Sequence, residues 1–168
     1  ELTMRMLDIW SPPGHEAEMA AVAHRALIDA GAEDVTIDDE FPESPSVLAW
    51  LRSGRPGPTL QWHGHLDAIA TGHTPARREG DVLHGRGASD MKGALAAEIE
   101  AVKILREFGL PERGDVLITF HGLHEEGHSA PLHRLIERGI HGDAAIIGEL
   151  GSPAELIVTS RGLTFWDL

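Results

Sequence analysis

The sequence predicts an α/β domain, with a largely parallel sheet and helices on both faces. Short apolar runs rich in Val, Ile, Leu and Trp alternate with longer stretches whose apolar residues recur at helical spacing. Turn clusters such as "SPPGHE" and "SGRPGP" punctuate the alternation. Strands that alternate with helices pair in parallel and are covered by the helices between them.

The chain opens in a helix that places Leu2, Met6, Ile9 and Trp10 on one side, and "SPPGHE" turns into the next helix. From Met19 the apolar residues fall at Val22, Ala23, Ala26, Leu27 and Ala30, and Gly31 supplies the cap. Strands are expected at 34–38, 46–51 and 59–65, the last two joined through "SGRPGP". Residues 70–88 read as a long loop rich in Gly and charge, holding one short strand near Val82–His84. A long helix follows over 90–108, buried through Met91, Leu95, Ile99, Val102 and Leu105 and stopped by Gly109 and Pro111. "DVLITF" is a buried strand, Ser129 caps a short helix running to Arg138, and "AAIIGE" and "LIVTS" are further strands.

A length of 168 residues suits one domain with a sizeable core. The net charge of -13 argues against nucleic acid and anionic membrane as partners, because both are recognised through basic patches. No apolar run is long enough for a transmembrane span or a signal-peptide core. Cysteine is absent, so there are neither disulfides nor thiolate metal sites, which fits a reducing, cytoplasmic compartment. Both ends read as cut. Glu1 already sits in a helical pattern, and "ELIVTSRGLTFWDL" stops without a terminating signal. The chain is therefore expected to belong to a longer protein.

The stretch "HEEGH", His124 to His128, matches H-E-x-x-H, which in zincin proteases places two zinc ligands on one helical face around a glutamate base. Gly122 and Gly127 flank and interrupt the match, and Pro131 follows closely. A glycine inside a helix costs about 1 kcal/mol, and no apolar stripe offsets it here. The segment reads instead as the loop leaving the carboxyl end of a strand, where α/β sheets place their ligands.

Three other stretches share that position. In "QWHGHLDAIATG", His65 and Asp67 point to the same side of a strand, so the carboxylate can fix the tautomer of a metal-bound imidazole. His63 lies on the same face and reads as packing or support. In "GRGASDMKG", Asp90 opens a long helix; an isolated aspartate there is ordinarily an N-cap, but the surrounding glycines suggest an unusual backbone. In "IIGEL", Glu149 ends an apolar strand, where a carboxylate is costly to bury unless paired or metal-bound. With Glu126 these residues supply one imidazole and three carboxylates, a set that suits zinc, cobalt or manganese. Three carboxylates also suit two ions better than one, since a shared aspartate relieves their repulsion.

"GHLDAIATG", "GRGASDMKG", "HEEGH" and "GEL", in that order, resemble the co-catalytic zinc aminoacylase and carboxypeptidase family, which includes acetylornithine deacetylase, succinyl-diaminopimelate desuccinylase and glutamate carboxypeptidase. The resemblance implies a three-layer αβα zinc-exopeptidase-like domain with a mostly parallel mixed sheet, here incomplete. Residues 1–168 would be the N-terminal portion of the catalytic domain, without the lid or dimerisation domain and the C-terminal part. It implies that His65, Asp90 and Glu149 bind one zinc, and that Asp90 bridges to a second zinc held also by Glu126. Asp67 would orient His65, and Glu125 would be the general base acting on a water between the metals. A cis peptide is implied at Asp90–Met91. His124 and His128 would not be ligands.

The activity implied is metal-dependent hydrolysis of an amide bond in an N-acyl amino acid or small peptide, with a homodimer in the full-length protein. The family's second zinc takes a further histidine from the returning half of the catalytic domain, so the second site is one ligand short here. A catalytically incompetent, metal-binding half-domain is thus the alternative for these residues alone. A zincin-type protease acting through "HEEGH" is the third reading.

Overall fold

The structure is a computed structural model that describes residues 1–127, 129–149 and 158. Two helices, α1 (Leu2–Asp8) and α2 (Ala17–Asp29), precede three strands, β1 (Glu33–Asp38), β2 (Ser46–Arg52) and β3 (Thr59–His65). A small hairpin follows, β4 (Arg77–Glu79) with β5 (Val82–His84), and then the long helix α3 (Lys92–Phe108). The described elements end with β6 (Asp115–His121), α4 (Ala130–Glu137) and β7 (Ala144–Ile147). The strand expected at "LIVTS" falls outside the described residues, apart from Val158.

Five strands form one mixed sheet in the order β1-β2-β6-β3-β7. The β1–β2 and β2–β6 pairs are antiparallel, whereas β3 runs parallel to both β6 and β7. The parallel half of the sheet therefore brings three strand ends to one edge. His65 pairs with His121 in register, and His63 with Ile147, so the residues just beyond these positions emerge side by side.

The core follows from periodicity. Val47, Ala49 and Leu51 of β2 and Val116, Ile118 and Phe120 of β6 alternate onto one face. There they join Met19, Ala23 and Leu27 of α2, Met6 of α1, and Leu95, Ile99 and Val102 of α3. The intervening residues Leu48, Leu117 and Thr119 point the other way and are buried as well. Helix α2 ends as Gly31 implies: its φ is 87°, Gly31 N–H donates to the Ile28 carbonyl, and Ala32 N–H donates to that of Leu27. Gly64 is a point of close approach: a Cβ there would stand 2.5 Å from Leu95 Cδ2 and 2.6 Å from Met91 Cε. The missing side chain lets α3 lie directly on β3.

Three local expectations resolve differently. The helix expected from residue 90 begins at Lys92, with Met91 rather than Asp90 in the N-cap position, so Asp90 does not serve as a cap. Ser129 occupies the N-cap of α4 but makes no side-chain cap bond. Pro131, in the first turn of that helix, has no N–H to offer it. The strand β4 was not expected, since "RRE" carries no apolar alternation and pairs only with β5. The Asp90–Met91 peptide is cis, as the family resemblance implies.

Candidate metal centre

The site is built where β3, β6 and β7 end. The chain beyond β3 is pinned in place: Leu66 N–H donates to the His121 carbonyl, Ala68 N–H to that of Ser11, and Ser11 Oγ to that of Leu66. Asp67 is consequently buried without exposure. Beyond β6 the chain turns over residues 124–127, closed by Gly127 N–H on the His124 carbonyl and Ser129 N–H on that of Leu123. No helix runs through these residues, and Gly127 has a φ of 74°. The geometry that a zincin helix demands is absent from residues 124–127, while His128 lies outside the described residues.

Five of the six residues singled out from the sequence gather around His65, and Glu126 is the exception. His65 Nε2 lies 2.9 Å from Asp90 Oδ1 and 3.5 Å from Glu149 Oε2. Candidate ligand atoms of His65, Asp90 and Glu125 all lie within 4.8 Å of one another, as do those of His65, His124 and Glu149. Donors held at about 2.0–2.2 Å from a zinc ion stand roughly 3.3–3.6 Å apart in a tetrahedron, so the spacing and the imidazole–carboxylate chemistry fit such an ion. Glu126 is exposed and belongs to neither group. His124, which the resemblance leaves out of the ligand set, stacks on His65 at 4.3 Å between ring centres, with its Nε2 3.8 Å from Glu149 Oε2.

Asp67 does more than the sequence suggests. His65 Nδ1 lies 3.0 Å from the main-chain carbonyl of Asp67 and 3.4 Å from its carboxylate Oδ1. The other carboxylate oxygen, Oδ2, accepts the N–H groups of His124 at 2.9 Å and Glu125 at 2.8 Å. One buried carboxylate thus spans the candidate ligand and the candidate base.

Burial and the neighbouring charged groups set the direction in which each group titrates. Burial alone would lower the His65 pKa, but Asp67, Glu149 and Asp90 outweigh it and lift the imidazole to about 9. Burial likewise opposes ionisation of Asp67, yet His65 and the Glu125 N–H hold its carboxyl below the ordinary value. Burial and then the neighbouring Asp90 raise Glu125 above the usual carboxylate range, the direction a base working near neutrality needs.

Sequence reading missed three features. His63 and His121 stack at 4.8 Å between ring centres, with His63 Nδ1 2.8 Å from Thr119 Oγ1. Burial pushes these imidazoles down to about 4 and about 3, so both are neutral. Lys92 is fully buried with its Nζ donating to the Ile9 carbonyl at 2.6 Å, which fastens the start of α3 to the end of α1. Glu16 is also fully buried. For Lys92 and Glu16 the only local signal was a charged residue beside a Gly-rich turn, which solvent exposure explains equally well.

Comparison with known proteins meets this geometry directly. The profile of Peptidase family M20/M25/M40 matches residues 62–161, which include all six candidate residues. The chain belongs to that family. The chain is 36% identical over 167 residues to succinyl-diaminopimelate desuccinylase of Hahella chejuensis, an alignment covering 90% of this chain and 42% of the relative. It is 29% identical over 168 residues to the LysW-lysine/LysW-ornithine hydrolase of Sulfurisphaera tokodaii, covering 100% of this chain and 44% of the relative. Among solved structures it resembles the aminopeptidase PepT of Bacillus cereus, with a TM-score of 0.72 and 21% identity over 86% of this chain and 41% of that one. It also resembles the YXEP protein of Bacillus subtilis, described as a dinuclear metal-binding peptidase of the M20 family, with a TM-score of 0.66 and 17% identity over 87% and 40% of the chains. These likenesses establish the mixed α/β fold of the M20 peptidases. The chain spans less than half the length of each of these M20 relatives.

Proposed function

We propose that these residues form the N-terminal portion of the catalytic domain of a cytoplasmic, metal-dependent hydrolase that cleaves an amide bond of an N-acyl amino acid or small peptide. The observation that carries the reading is that Asp90 and Glu149 both approach His65 Nε2, with Glu125 within reach of His65 and Asp90. His65, Asp90 and Glu149 would hold one ion, and Asp90 with Glu126 would contribute to a second; zinc suits this donor set, and cobalt or manganese are compatible with it. When bound, the ions supply Lewis-acid polarisation of the scissile carbonyl and lower the pKa of water at the site.

The chain's own residues supply the rest. The Asp67 carbonyl and carboxylate orient His65, leaving Nε2 free to face the ligands. Glu125, raised in pKa and held by its main-chain N–H on Asp67, accepts the proton of the attacking water and returns it to the departing amine nitrogen. The names of the two relatives, a desuccinylase and a LysW-lysine/ornithine hydrolase, support an acylated amino acid as the substrate class.

The test is hydrolysis of N-succinyl and N-acetyl amino acids and of dipeptides by the zinc-loaded protein, before and after chelation, with Glu125→Gln as a companion. Chelator-sensitive release of amine that is lost in Glu125→Gln is expected. Chelator-insensitive cleavage, or casein digestion in place of acyl amino acid hydrolysis, contradicts the proposal.

A second reading concerns these 168 residues taken alone, as a half-domain that binds metal without turnover. Glu126 stands apart from both ligand groups, so the second ion has few donors among the described residues. Metal uptake without chelator-sensitive turnover by this chain supports that reading.

A further inference from the structure

We propose that Glu16 is a positioning residue: its buried carboxylate fixes the turn at Leu123–Glu125 and thereby sets where the Glu125 side chain stands. The proposal rests on the assignment of Glu125 as the base.

Glu16 stands at the N-cap of α2, yet its side chain makes no capping bond with that helix. It reaches across the fold instead. Oε1 accepts the main-chain N–H of Leu123, 107 positions away in sequence, at 2.8 Å. Oε2 accepts the hydroxyl of Ser44 at 2.7 Å, and Ser44 Oγ in turn accepts the N–H of Gly14 at 3.2 Å. The main-chain N–H of Glu16 donates to the Glu43 carbonyl at 3.0 Å. With both carboxylate oxygens engaged and the residue fully buried, the side chain has one available placement.

What it grips is a strained point. Leu123 has a φ of 59°, a left-handed conformation that costs a residue with a side chain about 1 kcal/mol or more and persists only where the surroundings impose it. The next two N–H groups, of His124 and Glu125, go to Asp67 Oδ2. Three consecutive amides of the turn are thus held by two buried carboxylates, one from each side. The close approach depends on Gly122, where a Cβ would stand 2.8 Å from Glu16 Oε1. Asp67 alone fixes the far end of the turn; Glu16 fixes the point where the chain leaves β6 and changes direction. Releasing it frees Leu123 to relax to negative φ, which swings the Glu125 Cα relative to His65 and Asp90.

The measurement is amide hydrogen exchange by NMR on the protein, Glu16→Gln, Glu16→Asp and Glu16→Ala, with the Ile118 amide in the sheet core as internal reference. In Glu16→Ala, and in Glu16→Asp if the alanine variant does not fold, exchange at Leu123, His124 and Glu125 should rise about tenfold or more relative to Ile118. Glu16→Gln should stay near the parent, because its carbonyl still accepts from Leu123 and its amide can donate to Ser44. In protein that turns over an acyl amino acid, Glu16→Ala should lower kcat by roughly tenfold to a hundredfold, with KM and bound metal nearly unchanged and with recovery in Glu16→Gln. An equal rise at Ile118, or a rise at Leu123 alone, overturns the proposal by reducing Glu16 to general or purely local support. A separate Glu125→Gln arm keeps the two assignments apart: undiminished turnover there removes Glu125 as the base, while the exchange data still decide whether Glu16 holds the turn.

Discussion

The Asp67 carboxylate accepts the main-chain N–H of Glu125 at 2.8 Å, so the strand that carries His65 and the turn that carries the base share one buried anchor. Asp67→Ala leaves the N–H groups of His124 and Glu125 without an acceptor. Each unpaired buried donor costs about 1–3 kcal/mol, so urea unfolding should show a loss of roughly 2–4 kcal/mol. Asp67→Asn keeps the shape and one acceptor oxygen but removes the charge beside His65. It should retain most of the stability while weakening zinc binding by about 10–100-fold. Parent-like zinc affinity in both variants would detach Asp67 from the metal site.

Glu125→Gln separates chemistry from binding. The amide cannot take a proton from water, whereas the main-chain bond to Asp67 and the neighbouring donors remain. Turnover should fall by about 10²–10⁴-fold with the metal content unchanged. Turnover within a few-fold of the parent would move the base elsewhere.

The ligand set is tested by counting zinc per chain in His65→Ala, Glu149→Ala and His128→Ala. His65 contacts both carboxylates of the proposed first site, so its removal should abolish stoichiometric binding. Glu149→Ala should weaken binding, and His128→Ala should leave it intact. Loss of metal in His128→Ala alone would restore the zincin alternative. Adding His124→Asn to the series shows whether the imidazole stacked on His65 also donates to the ion.

The fold was readable wherever periodicity is strong. The stripe on α3 and the alternation on β2 and β6 are visible in the sequence because burial on one face demands them. The site was readable because His65, Asp90, Glu125 and Glu149 all stand at strand ends or the loops that follow, and because four ordered motifs carried the resemblance. What stayed hidden was long-range pairing. Nothing near Glu16 announces that its acceptor oxygens are used by Leu123, and nothing near Asp67 says that its carboxylate binds two amides of a distant turn. Such bonds depend on how strands are ordered in the sheet, which a local pattern does not encode.

Gly64 marks where packing leaves no slack. Gly64→Ala would place a methyl group 2.5 Å from Leu95 Cδ2 and 2.6 Å from Met91 Cε, so both side chains must move aside. Overpacking of this kind costs about 1–3 kcal/mol, and Met91 adjoins Asp90, so weaker metal binding should accompany the lower Tm. A variant as stable as the parent would show that the Leu95 and Met91 side chains repack freely.

Glu98 should govern part of the pH dependence of stability. Both of its carboxylate oxygens are buried without a hydrogen-bond partner among the described residues, and burial lifts its pKa from 4.5 to about 8. The folded state therefore holds this proton more tightly than the unfolded chain does. Between about pH 4.5 and 8, unfolding releases the proton, so stability from this group falls as the pH rises through that window and stays at its lower level above it. Glu98→Gln is neutral throughout and escapes the penalty. Its Tm should match the parent near the bottom of the window and exceed it by a margin that widens up to about pH 8. Thermal unfolding of both proteins across that range is the check. A margin independent of pH would mean that the gain comes from packing rather than from the buried proton.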